Sequence, residues 1–318
     1  MAPVSPPAVP ASRFLSILDI DHEALRRLLA TAAQLKADRH LRTKAPTATA
    51  LAGLHVALLF EKPSLRTRST FEIAIRELGA DTLILPGELA EGVREPLEDV
   101  ARNLERWVHA LVIRTFAQAK AQRLADAGRR LHVINALTDE EHPCQALADV
   151  MTMIERWGDP RGRVVTFVGD GNNVATSLAH AASMLGVSVR VASPAGYELP
   201  DRVLAESARV ATGGATVTRH HDPVEAVAGA DAVYTDVWAS MGEEAESAQR
   251  RIVFAPYQVN AALMAHAGPG ALFMHCLPAH RGEEVTADVL ESATSVVFDQ
   301  AENRLHTQKA LLLQLLGR

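Results

Sequence analysis

Cysteine is scarce in this sequence: two residues, Cys144 and Cys276, occur among 318. Two lone thiols, each inside a polar motif, argue against a disulfide scaffold and fit a reducing cytoplasm. Long apolar runs are also missing. None reaches the ~18 residues that a membrane span needs, so no membrane partner is expected. There is no long basic block, and the net charge is −6, which argues against a nucleic-acid partner. The opening "MAPVSPPAVPASR" has four prolines but neither a basic start nor an apolar stretch. It is expected to be a disordered leader rather than a signal peptide. No internal repeat of fixed period is present.

Apolar residues make up 48% of the chain and charged residues 22%, so two domains with substantial cores are possible. Apolar runs of strand length alternate with helical patterns. "LHVALLF", "DTLILPG", "ALVIRT" and "LHVINAL" form a first set. "RVVTFVGD", "VSVRVAS", "AVYTDV", "ALFMHCL" and "SVVFDQ" form a second. Strand-helix alternation with strands apolar on both faces predicts an α/β fold of two domains, each a parallel sheet flanked by helices. Asp19 or Asp21 is a plausible N-cap for the first helix. The boundary is expected at the helix from about Pro143 to Trp157, which the turn-rich "GDPRG" follows. Ligand groups belong where strands end and helices begin.

"FEKPSLRTRSTFE", Phe60 to Glu72, is such a junction. A helix start carries N–H groups without intrahelical partners and about half a positive charge, and so suits an anion. Ser64 and Thr67 add hydroxyls, and Arg66 and Arg68 add guanidinium forks that match phosphate oxygens. The spaced glycines and the Lys-Ser/Thr pair of a Walker loop are absent. Alone, the stretch also fits a capped, solvated first turn. "GDGNNV" resembles a dinucleotide loop, but Val174 stands where a third glycine belongs. The following strand also ends without an acid, which disfavours a nicotinamide cofactor.

Further motifs fall at or near predicted strand ends: "HPCQALADV", "FVGDGNNVATSL", "TDVWASMGEE", "HCLPAHRGEEV" and "FDQAENRLHTQKALL". With "FEKPSLRTRSTFE" they resemble the aspartate/ornithine carbamoyltransferase family, in consistent order from about Phe14 to the C-terminus. "SMG" and "HCLP" point within it to the ornithine-using members. The resemblance implies transfer of a carbamoyl group from carbamoyl phosphate to the side-chain amine of ornithine, giving citrulline and phosphate. A related amine, putrescine or an N-acylornithine, is the nearest alternative. It further implies no metal or organic cofactor, and a homotrimer with shared sites. The domains would run 1–148, joined by a C-terminal helix 300–318 that packs back on them, and 149–299.

The resemblance also assigns residues. Ser64, Leu65, Arg66 and Thr67 would hold the phosphate. Many relatives have Thr where Leu65 stands, so only a backbone contact would survive there. Arg114 would bridge phosphate and carbonyl oxygen, and His142 would donate to that oxygen. Gln145, one helical turn on, would accept from the carbamoyl NH2. Cys144 would be a packed thiol. Asn173, Asp236, Ser240 and Met241 would bind ornithine. Cys276, beside Asp236, would help the amine shed its proton, and the carbonyls of Cys276 and Leu277, turned by a cis Leu277-Pro278 bond, would hold NH2 groups. Arg304, opening the last helix, would reach the carbamoyl group. The loop Gly87 to Glu95 would enter a neighbour's site, and there Ala90 replaces a common glutamine. Val100 replaces a frequent Thr in the helix that follows.

Overall fold

Each apolar run that ends in a polar turn becomes a central strand. The computed structural model describes residues 13–239 and 246–317. The proline-rich leader, Ser240 and Met241 lie outside them. Among the described residues the strands are β1 (Arg13–Phe14), β2 (His55–Phe60), β3 (Asp81–Leu85), β4 (Ala110–Arg114), β5 (His132–Leu137), β6 (Val164–Val168), β7 (Ser188–Ala192), β8 (Val217–His220), β9 (Ala232–Thr235) and β10 (Leu272–His275). They form two sheets, ordered β1-β5-β4-β2-β3 and β10-β9-β6-β7-β8, with parallel pairing throughout. The central strands are buried on both faces, which is why they read as continuous apolar runs.

One unit runs through Cys144 and includes Leu305 onward; the other spans Gln145–Arg304. The division passes through the helix Pro143–Trp157 and through the last helix, Val297–Leu316. In the first unit Leu59, Leu97, Leu111, Ile113, Leu124 and Val133 share a core. Lys309, from the second half of the last helix, pairs there with Glu77 at 3.0 Å. In the second unit Val168, Val233, Phe254, Phe273 and Val297 pack together. No helix among the described residues is long and apolar enough to cross a membrane.

Two departures from the sequence reading are instructive. "SVVFDQ" is not a strand: Ser295 makes only an isolated bridge to Phe273, and the helix starts at Val297. A short β-branched run is ambiguous by periodicity, and here the helix that follows absorbs it. Arg304 therefore lies two turns inside the last helix rather than at its start. The short strands β1 and β8 were also not foreseen. Asp21 caps the first helix by accepting from Ala24 N–H at 2.7 Å, while Asp19 closes a capping box with Ser16.

Both sheets reverse direction once. In the first, the chain runs from β2 to β3 and then adds β4 on the other side of β2. In the second, it runs from β6 through β8 and then adds β9 on the other side of β6. Such a switch point opens a crevice at the carboxyl ends of the two strands, where parallel sheets take their ligands.

Candidate active site

At the first switch point Phe60 and Arg114 are register partners, so the turn after β2 and the Arg114 side chain leave the sheet side by side. Ser64 is the N-cap of the helix Leu65–Glu77, and its Oγ accepts from Thr67 N–H at 3.2 Å. The capping and phosphate readings are compatible, because a hydroxyl that accepts at its cap still has a proton to donate. Arg66 is half-buried and Thr67 buried. Leu65 is 77% exposed, so only its backbone is suited to an anion. Arg68 is exposed and paired along the helix, its Nε donating to Glu72 at 2.9 Å.

Arg114 is buried at the end of β4, and its carbonyl accepts from Glu61 N–H at 2.9 Å. Glu61 in turn accepts from Lys120 at 2.7 Å and from Thr115 Oγ1. Lys62 pairs with Asp139 at 2.7 Å and lies over the Phe116 ring. After β5, a turn in which Thr138 N–H donates to Glu141 O leads to His142, buried just before the helix Pro143–Trp157. Cys144 is buried with its thiol on Asn135 O at 3.4 Å, a packed thiol as expected. Ala90 is fully buried in the core of its own unit, and Val100 joins it.

At the second switch point Thr235 pairs with Val168 on one side and His275 on the other. Asp236, the next residue, therefore stands between the loop Gly169–Asn173 and Cys276. Cys276 Sγ donates to Asp236 Oδ1 at 2.9 Å, and Asn172 Nδ2 donates to Oδ2 at 3.0 Å. Asn172 also caps the helix Asn173–Met184, which puts Asn173 in its first turn. Of the two glycines of this loop, Gly171 serves packing, since a Cβ there would come within 2.3 Å of Leu199 N, while Gly169 has φ +140°. Burial, reinforced by the Asp236 charge, pushes the Cys276 thiol well above its ordinary pKa. The thiol is thus a neutral donor to Asp236 and not a thiolate.

The Leu277-Pro278 bond is cis, and Leu277 has φ +59°. A non-glycine residue there costs about 1–2 kcal/mol. The buried His275 ring supports it: Nδ1 accepts from Leu277 N–H at 2.9 Å, and Nε2 faces Glu284 at 3.2 Å. Asp236, His275 and Cys276 bring metal-ligand atoms within 4.8 Å of one another. Both His275 nitrogens are already committed, so this is a hydrogen-bonding centre rather than a vacant ligand set.

Gln145 and Arg304 meet: Arg304 Nη1 donates to Gln145 Oε1 at 2.8 Å. Behind Gln145 lies a residue the sequence reading passed over, Asp149. It is fully buried, and burial raises its carboxyl from 3.8 to about 6 despite bonds from Gln145, Gln300 and Tyr234. Asn172, His275 and Glu284 were likewise given no role. The spacing of Gln145 and Asp149, one helical turn, was the available signal.

Comparison with known proteins fits this geometry. Residues 12–155 match the profile described as aspartate/ornithine carbamoyltransferase, carbamoyl-P binding domain. Residues 161–315 match the Asp/Orn binding domain of the same family. A protein of Parafrankia sp. named ornithine carbamoyltransferase is 49% identical, covering 96% of each chain. One of Anoxybacillus flavithermus with that name is 47% identical, over 95% of this chain and 96% of its own. The structure of ornithine carbamoyltransferase from Pyrococcus furiosus is similar at TM-score 0.92 and 46% identity, covering 98% of this chain and 99% of that one.

Proposed function

The chain belongs to the aspartate/ornithine carbamoyltransferase family, and we propose that it transfers the carbamoyl group of carbamoyl phosphate to the side-chain amine of L-ornithine, giving L-citrulline and phosphate. The observation that carries this reading is Asp236, held at a sheet's switch point by Cys276 and Asn172. A buried carboxylate with a neutral thiol beside it suits a cationic amine that must be placed and then lose a proton.

The chemistry needs a neutral amine, an electrophilic carbonyl and a stabilised leaving group. The ammonium first gives up one proton to solvent; its nitrogen then bonds to the carbamoyl carbon, the carbon–oxygen bond to phosphate breaks, and the second N–H proton leaves on the phosphate. In our reading the capped helix start holds the phosphate through Ser64, the Leu65 backbone, Arg66 and Thr67. Arg114 offsets charge on the leaving phosphate and on the carbonyl oxygen, and His142 donates to that oxygen. Gln145 and the Leu277 carbonyl take the carbamoyl NH2, and Arg304 the carbonyl side. Asn173 and Asp236, with Ser240 and Met241, take ornithine. Cys276 orients the amine through Asp236. The first domain is then the carbamoyl-phosphate domain and the second the ornithine domain.

We further read the protein as a homotrimer with shared sites, working in the cytoplasm. Edge strand β3 leaves Leu83 and Ile84 about two-fifths exposed, and Val93 in the following loop is 84% exposed. A cleft of about 420 Å³ lined by Leu58, Phe60, Arg68, Ile84 and Pro86 adjoins them. An apolar sheet edge of this kind asks for a covering partner. With Ala90 turned inward, Glu88, Glu91 and Arg94 are the exposed charged side chains of the loop. The two free thiols support the reducing compartment. The deciding experiment is citrulline-type product formation from ornithine, putrescine, N-acetylornithine and aspartate in parallel. Ornithine should be carbamoylated far faster than the rest, and equal turnover of putrescine would refute the amino-acid site.

A further inference from the structure

We propose that Asp149 is a positioning residue for the carbamoyl subsite, setting which way the Gln145 and Gln300 amides face. Its carboxyl can be approached here only by donors. Gln145 Nε2 donates to Oδ1 at 2.8 Å and Gln300 Nε2 to the same oxygen at 2.9 Å. Tyr234 OH donates to Oδ2 at 3.2 Å. A glutamine amide has one donor end and one acceptor end, so fixing the donor end aims the acceptor. Gln145 Oε1 is thereby turned to Arg304 Nη1 at 2.8 Å, and Gln300 Oε1 to His275 N–H at 3.0 Å, next to Cys276. Gln145 Oε1 keeps a second lone pair for a carbamoyl NH2. Asp149 and Arg304 thus hold the Gln145 amide from its two ends, and without Asp149 the Arg304 guanidinium alone is left to fix its direction.

The role rests on the proposed carbamoyl transfer, and a steady-state mutant cycle separates the two. Parent, Asp149→Ala, Gln145→Ala, the double variant and Asp149→Asn are assayed for kcat and for KM of each substrate. Asp149→Ala alone should lower kcat/KM for carbamoyl phosphate at least about tenfold, but by less than about threefold in the Gln145→Ala background, because residues acting as a unit are non-additive. KM for ornithine should move less than KM for carbamoyl phosphate. Asp149→Asn should recover most of the loss, since its oxygen can take both glutamines while its NH2 meets the Tyr234 oxygen. Should Asp149→Ala not fold, the cycle is run with Asp149→Thr, which keeps the volume but whose oxygen sits on Cβ, one bond short of the position where Oδ1 meets both amides. Losses that multiply independently, or a folded Asp149→Asn protein as impaired as the Ala variant, overturn the positioning role. A parent that makes no citrulline refutes instead the function it rests on.

Discussion

Replacing Asp149 by Asn should stabilise the protein at neutral pH, and the size of the gain can be worked out. The Asp149 carboxyl is fully buried, and burial outweighs three hydrogen bonds to raise it from 3.8 to about 6. An acid with a raised folded-state pKa favours folding while it is protonated. That stability is fully present below the unfolded value near 3.8 and is lost as pH rises through about 6. The shift spans about two units at 1.36 kcal/mol each, or about 3 kcal/mol. Asn resembles the protonated form and pays no desolvation of charge. The Asn-minus-parent difference in unfolding free energy should be near zero below about pH 4 and rise to about 3 kcal/mol above about pH 6. Urea unfolding of both proteins at half-unit pH steps measures it, and taking the difference cancels the other titrating groups. A difference that stays flat from acid to neutral pH, or a parent more stable than the variant at pH 7, refutes the reasoning.

Arg66→Ala removes a charge-assisted contact worth roughly 1.5–3 kcal/mol, so KM for carbamoyl phosphate should rise by one to two orders of magnitude with the fold intact; unchanged kinetics would reduce the turn to a capped helix. The raised Cys276 thiol should react slowly with iodoacetamide through neutral pH, and Asp236→Asn, by removing the adjacent charge, should move the onset of labelling to lower pH. Asp236→Asn should also weaken ornithine binding and turnover, and normal ornithine kinetics in that variant would overturn the account of the amine's proton. Gly171→Ala should lower the melting temperature clearly, because its Cβ would fall 2.3 Å from the Leu199 nitrogen. Light scattering with activity assays should find isolated monomers inactive, and a fully active monomer would refute shared sites.

What the sequence alone determined is what depends on neighbours along the chain. Ser64 and Asp21 read as helix caps because a cap bonds two or three residues away. The buried central strands read as apolar runs because helices cover both faces of a parallel sheet. The cis Leu277-Pro278 bond and the packed Cys144 were instead implied by the family resemblance of the motifs around them. Periodicity failed where it carries little information, as in "SVVFDQ", whose last residues begin a helix, and at β8, a polar edge strand of four residues. Only tertiary structure could decide what surrounds Asp236 and Asp149. Asp236 gains Cys276 forty residues on and Asn172 sixty-four residues back, because sheet order, not chain order, makes β6, β9 and β10 neighbours. Asp149 receives an amide from Gln300, 151 residues away, and becomes a buried acceptor with a raised pKa. Burial and long-range hydrogen bonding set its charge and its partners, and neither is a property of the residues beside it in sequence.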